Sequence, residues 1–357
     1  MTKQDIIKNF QLSTKQTEIL YNFEKLKVEA DIKIEKDDKV KSLKINWLLD
    51  WEAGISDFFK SISLQSPEIN WYTDVSELNK QIEAEFSGEP NSIWYDLVLL
   101  EVVLFVPYYP LNVEKEEIKK FKKVNYKKSE WLDFIVYSQK HSDSDLLKRY
   151  KKTYKKSISR MKGTKEKIII SLLVTSLITA LTAGTATFFA PAIAASLFGS
   201  EFTGLYGVAL TNATLAYIGG GAIVTGGAGI LGGQSIIAGG GAILGLAGGG
   251  LTTSAVTISK LLTTPEENLI QTAKIEVVIR EILANKRKDI TLAEKTLNSI
   301  QESINSLNFR LNELNIKEDK QEIKNIEKSI KQMNKAQAEL RKFVSSFKIG
   351  LSRENEE

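Results

Sequence analysis

The chain has no cysteine, one histidine and, over a long interior stretch, almost no charge. Without cysteine there is no disulfide framework, no thiolate-ligated zinc, no iron–sulfur cluster and no thiol nucleophile. That composition fits a reducing cytoplasm. The single histidine, His141, lies in the polar run SQKHSDSD and reads as a solvated surface residue, so ordinary catalytic triads and histidine-rich metal sites are excluded. Asp143 and Asp145 begin like a calcium loop, but its glycine and terminal glutamate are missing. Asp96 and Glu101 stand in an apolar run and, five residues apart, do not share a helix face, so they read as boundary or paired residues rather than a catalytic dyad. No enzyme, metal or cofactor is expected. The N-terminal run MTKQDIIKNFQLSTKQTEIL has no apolar core before a small-residue cleavage site, so no secretory signal is expected.

Charge and glycine are unevenly spread. From Ile168 to Ser259 the only charged residue is Glu201, yet 19 of the 23 glycines fall there. Just before it, between Lys148 and Lys167, ten residues are Lys or Arg and one, Glu166, is acidic. A net charge of +4 conceals this asymmetry. Glycine inside a helix costs about 1 kcal/mol relative to alanine, so this many require a compensating gain. Close approach of helix backbones along glycine faces supplies one. Gly241, Gly245 and Gly249 form GxxxGxxxG, and Gly229 and Gly233 repeat the step of four. Gly219, Gly226, Gly233 and Gly240 recur every seven residues, near one helix face. A flexible linker would carry Ser and polar residues rather than Ile and Leu. A phosphate loop is excluded because no GK[ST] follows these glycines. A glycine-rich hairpin buried inside a shell of other helices is the rival to membrane insertion.

Three regions follow, all helical. Residues 1–165 are expected to form a soluble helical domain ending in the polybasic segment. In it, Trp47, Leu48, Trp51, Ile55, Phe58 and Phe59 mark one buried stripe. The run IWYDLVLLEVVLFVPYYP is short for a bilayer span and is expected to be a buried core helix. Residues 166–262 are expected to form a glycine-zipper transmembrane hairpin or bundle. Its first stretch, Ile168 to Ala190, exceeds the roughly 20 residues that cross a bilayer core, and FGSEFTG, with Glu201, reads as an interfacial turn. Residues 263–357 are expected to form a coiled coil. Thr264, Pro265, Glu266 and Glu267 make a strong helix start. Ile290, Ala293, Leu297, Ile300, Ile304, Leu307, Leu311 and Leu314 alternate steps of three and four. The phase slips in NIKEDK and resumes at Ile323, Ile326, Ile330 and Met333, which a hairpin or a stutter in one long helix would explain.

The order of polybasic helix, apolar span, FAPAIAASLFG, glycine zipper and coiled coil resembles bacterial membrane-active effectors, both all-helical pore-forming toxins and abortive-infection effectors of phage defence. LTAGTATFFAPAIAASLFG and the glycine run are also similar to the hydrophobic hairpin of apolipoproteins L. The likeness covers about 92 of 357 residues and implies a channel or membrane-permeabilising role. The expected function is thus a self-associating protein that inserts into and perturbs a bacterial cytoplasmic membrane, with its N-terminal domain cytoplasmic and a soluble form before insertion. Gly229, Gly233, Gly241, Gly245 and Gly249 would pack helices, and Lys148, Arg149, Lys151, Lys152, Lys155 and Lys156 would meet anionic headgroups. The expected partners are the anionic leaflet, further copies joined through the coiled coil, and a protein partner or trigger. Tyr150 and Tyr154 interleave the basic charges, but no nucleic-acid motif accompanies them and nucleic acid is not an expected partner. The alternatives are a membrane-anchored adaptor recruiting partners through its coiled coil, or a soluble assembly subunit with a buried hairpin.

Overall fold

Ser13 and Gln16 open the first helix. In a computed structural model of the chain, the Gln16 amide donates to Ser13 Oγ at 3.1 Å and the Ser13 amide donates to Gln16 Oε1 at 3.0 Å. This reciprocal cap satisfies amides that a helix start leaves unpaired. The structure describes residues 12–62, 68–88, 93–105, 107–108, 121, 124–127, 141–142, 144–162 and 265–354. Every regular element among these described residues is helical. They fall into two units, residues 12–147 and residues 148–162 with 265–354.

The first unit is built on α1 (Thr14–Ile34), which packs against α2 (Asp38–Ile62), α3 (Val75–Gly88) and α4 (Trp94–Leu104). The stripe expected on α2 faces inward: Trp47, Leu48, Trp51 and Ile55 are buried. The side chains of Phe58 and Phe59 lie outside the described residues. Trp47 and Trp51 stack at 6.0 Å, and Trp51 meets Tyr21 of α1 edge-on at 6.1 Å, geometries that aromatic quadrupoles favour. In α4 every residue from Trp94 to Val103 is buried, Asp96 and Glu101 included. An 11-residue helix whose apolar residues face every side is stable only inside a core.

The sole histidine differs from its expected surface setting. His141 stacks on Phe86 with ring centroids 3.6 Å apart, and its Nε2 lies 3.1 Å from Glu83 Oε1. The imidazole is half-buried against α3 because its flat face covers an aromatic ring that α3 would otherwise leave to water.

The second unit contains α5 (Ser144–Lys162) from Lys148 onward, α6 (Pro265–Val277), a π-helical segment (Val278–Lys286), α7 (Ile290–Glu313) and α8 (Lys320–Glu354). Pro265 takes the first helical position, where its missing N–H is no loss. The expected cap, Thr264, lies outside the described residues. The helix then widens: the Arg287 amide donates to the Ile282 carbonyl, five residues back, at 3.0 Å. Lys288, with φ at 58°, ends the segment in the left-handed region. Asp289 caps α7 by accepting the Leu292 amide at 2.8 Å.

The slip after Ile316 is a hairpin turn. Asn315 Oδ1 accepts the Lys317 amide at 3.0 Å, and the Asn315 amide donates to Asp319 Oδ2 at 2.9 Å. α8 returns along α7, bringing Lys348 Nζ to 2.9 Å from Glu294 Oε1. Ala293, Leu297, Ile300, Ile304 and Leu307 are buried together with Ile326, Met333, Ala336, Leu340 and Val344. The seam is therefore closed by the chain's own return helix.

Candidate functional site

The basic stretch forms one face of α5. At about 100° per residue, Lys148, Arg149, Lys151, Lys152, Lys155 and Lys156 fall within roughly 160° of the helix circumference, and all six are exposed. Tyr150, Ser157, Ile158 and Met161, on the other side, are buried. Tyr150 is thus interleaved with the charges in sequence but separated from them in space. A basic groove for single-stranded nucleic acid would present such a ring outward for stacking.

The inner face carries a polar stripe, Arg149, Thr153, Ser157 and Arg160, spaced so that successive members lie one turn apart. Two carboxylates receive it. Thr153 Oγ1 donates to Glu281 Oε1 at 2.6 Å, and Arg149 Nε lies 3.7 Å from Glu281 Oε2. Ser157 Oγ and the Arg160 guanidinium both donate to Glu276. Arg280 Nε donates to Glu276 Oε1 at 2.8 Å, and the Arg280 guanidinium covers the Phe343 ring of α8 at 4.5 Å. Glu276 is 1 % exposed, so burial weakens solvent screening of its two guanidinium contacts. In a regular α-helix, positions 276 and 281 would diverge by about 140°. The i→i+5 bonding of a π-helix brings residues five apart to about one turn apart. The widening begins at Val278, two residues after Glu276, so it narrows the divergence only over the Val278–Glu281 part of that interval, and both carboxylates meet side chains of α5.

A second charged cluster lies within the first unit, with its centre at Lys44 and Asp31 buried and Lys127 at its exposed edge. Lys44 Nζ is 2.5 Å from Asp31 Oδ2 and 3.1 Å from Glu35 Oε2, with Lys44 and Asp31 both fully buried. Tyr108 Oη donates to Asp31 Oδ2 at 2.7 Å, the Lys127 amide donates to Asp31 Oδ1 at 2.6 Å, and Lys127 Nζ reaches Glu35 Oε1 at 2.5 Å. The hydrogen bond from Lys127, followed by the Asp37 amide, holds the Glu35 carboxyl down to about 2. Burial and the Asp31 carboxylate push the Tyr108 phenol well above its usual range. Every charge here has a partner, so the cluster is a structural tie rather than a reactive site. Among the described residues no group of three or more His, Asp or Glu side chains is placed to hold a metal.

Gly229, Gly233, Gly241, Gly245, Gly249 and Glu201 lie outside the described residues. Among the described residues no helix is long and apolar enough to cross a membrane. The structure brings the six basic residues onto one face, with Arg149 at its edge shared between surface and clamp. It also ties that helix to the C-terminal helices, whereas the sequence reading joins residues 148–165 to the N-terminal domain. Glu276, Glu281, Thr153, Ser157 and Arg160 are the site residues that sequence reasoning missed. One signal was available, a polar stripe at helical spacing opposite the lysines. The spacing of the two glutamates gave none, because five residues do not return to one face of a regular α-helix. No protein-family model matches the chain, and no curated protein or solved structure matches it either.

Proposed function

We propose that this chain is a membrane-inserting, self-associating effector that permeabilises or perturbs a bacterial cytoplasmic membrane, in the manner of a toxin or an abortive-infection effector. The reading is carried by one observation: an exposed lysine face on α5 shortly precedes the stretch 168–259, in which Glu201 is the only charged residue. Each Lys near an anionic leaflet is worth about 1 kcal/mol, and Lys favours the cytoplasmic side of a span. The helix lays its cations on the leaflet, the apolar stretch enters hydrocarbon, and the glycine faces pack there. Self-association is assigned to Gly229, Gly233, Gly241, Gly245 and Gly249, because the apolar seam of α7 and α8 is closed within one chain.

Dye release from vesicles containing anionic lipid tests the proposal. Full-length protein is expected to release dye. Gly245→Leu is expected to bind the vesicles but lose most of the release, since Leu holds the backbones apart. Replacing Lys151, Lys152, Lys155 and Lys156 together by Ala removes about 4 kcal/mol of surface attraction, a roughly thousandfold loss in initial partitioning. Undiminished release by Gly245→Leu defeats the zipper role. Binding without any release identifies a membrane-anchored adaptor, and absence of binding leaves the soluble assembly subunit.

A further inference from the structure

We infer that the two ends of the apolar stretch are held on the same side of the membrane, so that the stretch crosses it an even number of times. The inference rests on the insertion proposed above and adds the topology. α5 ends at Lys162 and α6 begins at Pro265, so these helices flank residues 163–264 on either side. They are not independent. Ser157 and Arg160, within the last two turns of α5, donate to Glu276, about three turns from the start of α6. A little further from the ends, Thr153 donates to Glu281 at 2.6 Å and Arg149 pairs with it at 3.7 Å.

This seam is internal. Ser157 is 0 % exposed, Glu276 1 % and Glu281 7 %. Arg280 continues the tie from Glu276 to the Phe343 ring, which joins the clamp to α8. An odd number of crossings would put α5 and α6 on opposite faces of the bilayer. That would strip Glu276 of Arg160 and Ser157, strip Glu281 of Thr153 and Arg149, and expose the apolar side of α5 carrying Ile158 and Met161. An even number leaves all of these contacts intact. The clamp also assigns a side to the downstream flank, which its own charges do not: residues 260–289 carry six basic and five acidic side chains. The lysines of α5 select the cytoplasmic side, and α6, α7 and α8 go with them.

The absence of native cysteine makes the test direct. Ser159→Cys on α5 and Thr291→Cys at the start of α7 are conservative changes at exposed positions, so neither disturbs folding. Each single-cysteine chain, expressed at full length, is treated in spheroplasts with a membrane-impermeant maleimide before and after permeabilisation. The expected result is that both thiols, in the membrane fraction, resist labelling until the membrane is opened. Labelling of both in spheroplasts whose own cytoplasmic thiol proteins stay unlabelled, which shows that the reagent has not leaked in, keeps the even count and overturns the cytoplasmic orientation. Labelling of one without the other overturns the inference while leaving insertion standing. Recovery of the chain only in the soluble fraction removes insertion itself and the topology with it.

Discussion

Lys44 is an ammonium group with no route to water, and its surroundings account for its charge. Asp31 lies 2.5 Å away, Glu35 3.1 Å, and the Tyr108 ring centroid 4.9 Å. Truncation to Lys44→Ala leaves the buried Asp31 carboxylate without its cation and Glu35 with Lys127 alone, and is expected to destabilise the unit by about 3–5 kcal/mol, read from the urea midpoint of the full chain. Glu35 gives the same cluster a dependence on pH. Its folded pKa of about 2 lies below the ordinary 4.5, so its contribution is fully present above pH 4.5 and is lost as pH falls toward 2. Melting temperatures of wild type and Glu35→Gln are therefore expected to differ at pH 7 and to converge between pH 4.5 and pH 2. Convergence at higher pH would mean that another group carries the effect. Lys27 performs a related task, donating to the carbonyls of Val102 at 2.7 Å and Phe105 at 2.6 Å, where the end of α4 leaves acceptors unpaired.

Among the elements, those whose pattern matches the period of an α-helix were legible in the sequence. Pro265 marks the start of α6, the tryptophan stripe marks the inner face of α2, and the three–four spacing from Ala293 to Leu307 marks the buried side of α7. The phase slip after Ile316 was visible, but choosing between a turn and a stutter required knowing what Asn315 and Asp319 bond to. α1 was hidden for a different reason. It buries Gln16, Glu18, Asn22, Lys27 and Asp31, residue types that ordinarily signal a surface. Their partners come from distant segments: Glu18 accepts the Asn70 amide at 3.0 Å and Tyr72 Oη at 2.6 Å. A local pattern cannot register hydrogen bonds that the fold supplies afterwards. The π segment escaped likewise, because VIREILANK has no sequence mark of its own. Two expectations belong to this scale. Ile300→Ala, in the closed seam, is expected to lose about 2–5 kcal/mol of stability by chemical denaturation. Asp289→Ala removes the α7 cap and is expected to lose about 1 kcal/mol.

For the whole molecule, the seam between α7 and α8 is sealed within one chain while the lysine face of α5 is exposed. Attraction to a charged surface acts over about 10 Å at 0.1 M salt and about 3 Å at 1 M. Protein resting on anionic vesicles through α5 alone is therefore expected to be released by a 1 M salt wash. Protein whose apolar stretch has entered hydrocarbon is expected to remain, and sedimentation before and after the wash separates the two populations. The ribosome adds a matter of timing. Arg160 and Glu276 are 116 residues apart in the chain, which at 5–20 residues per second is a wait of roughly 6 to 23 s. For that interval the nascent basic helix is made and its acidic counterpart is not. The apolar stretch is translated within the same window, so a lipid surface near the ribosome can engage the lysines before the glutamates exist to hold the other face.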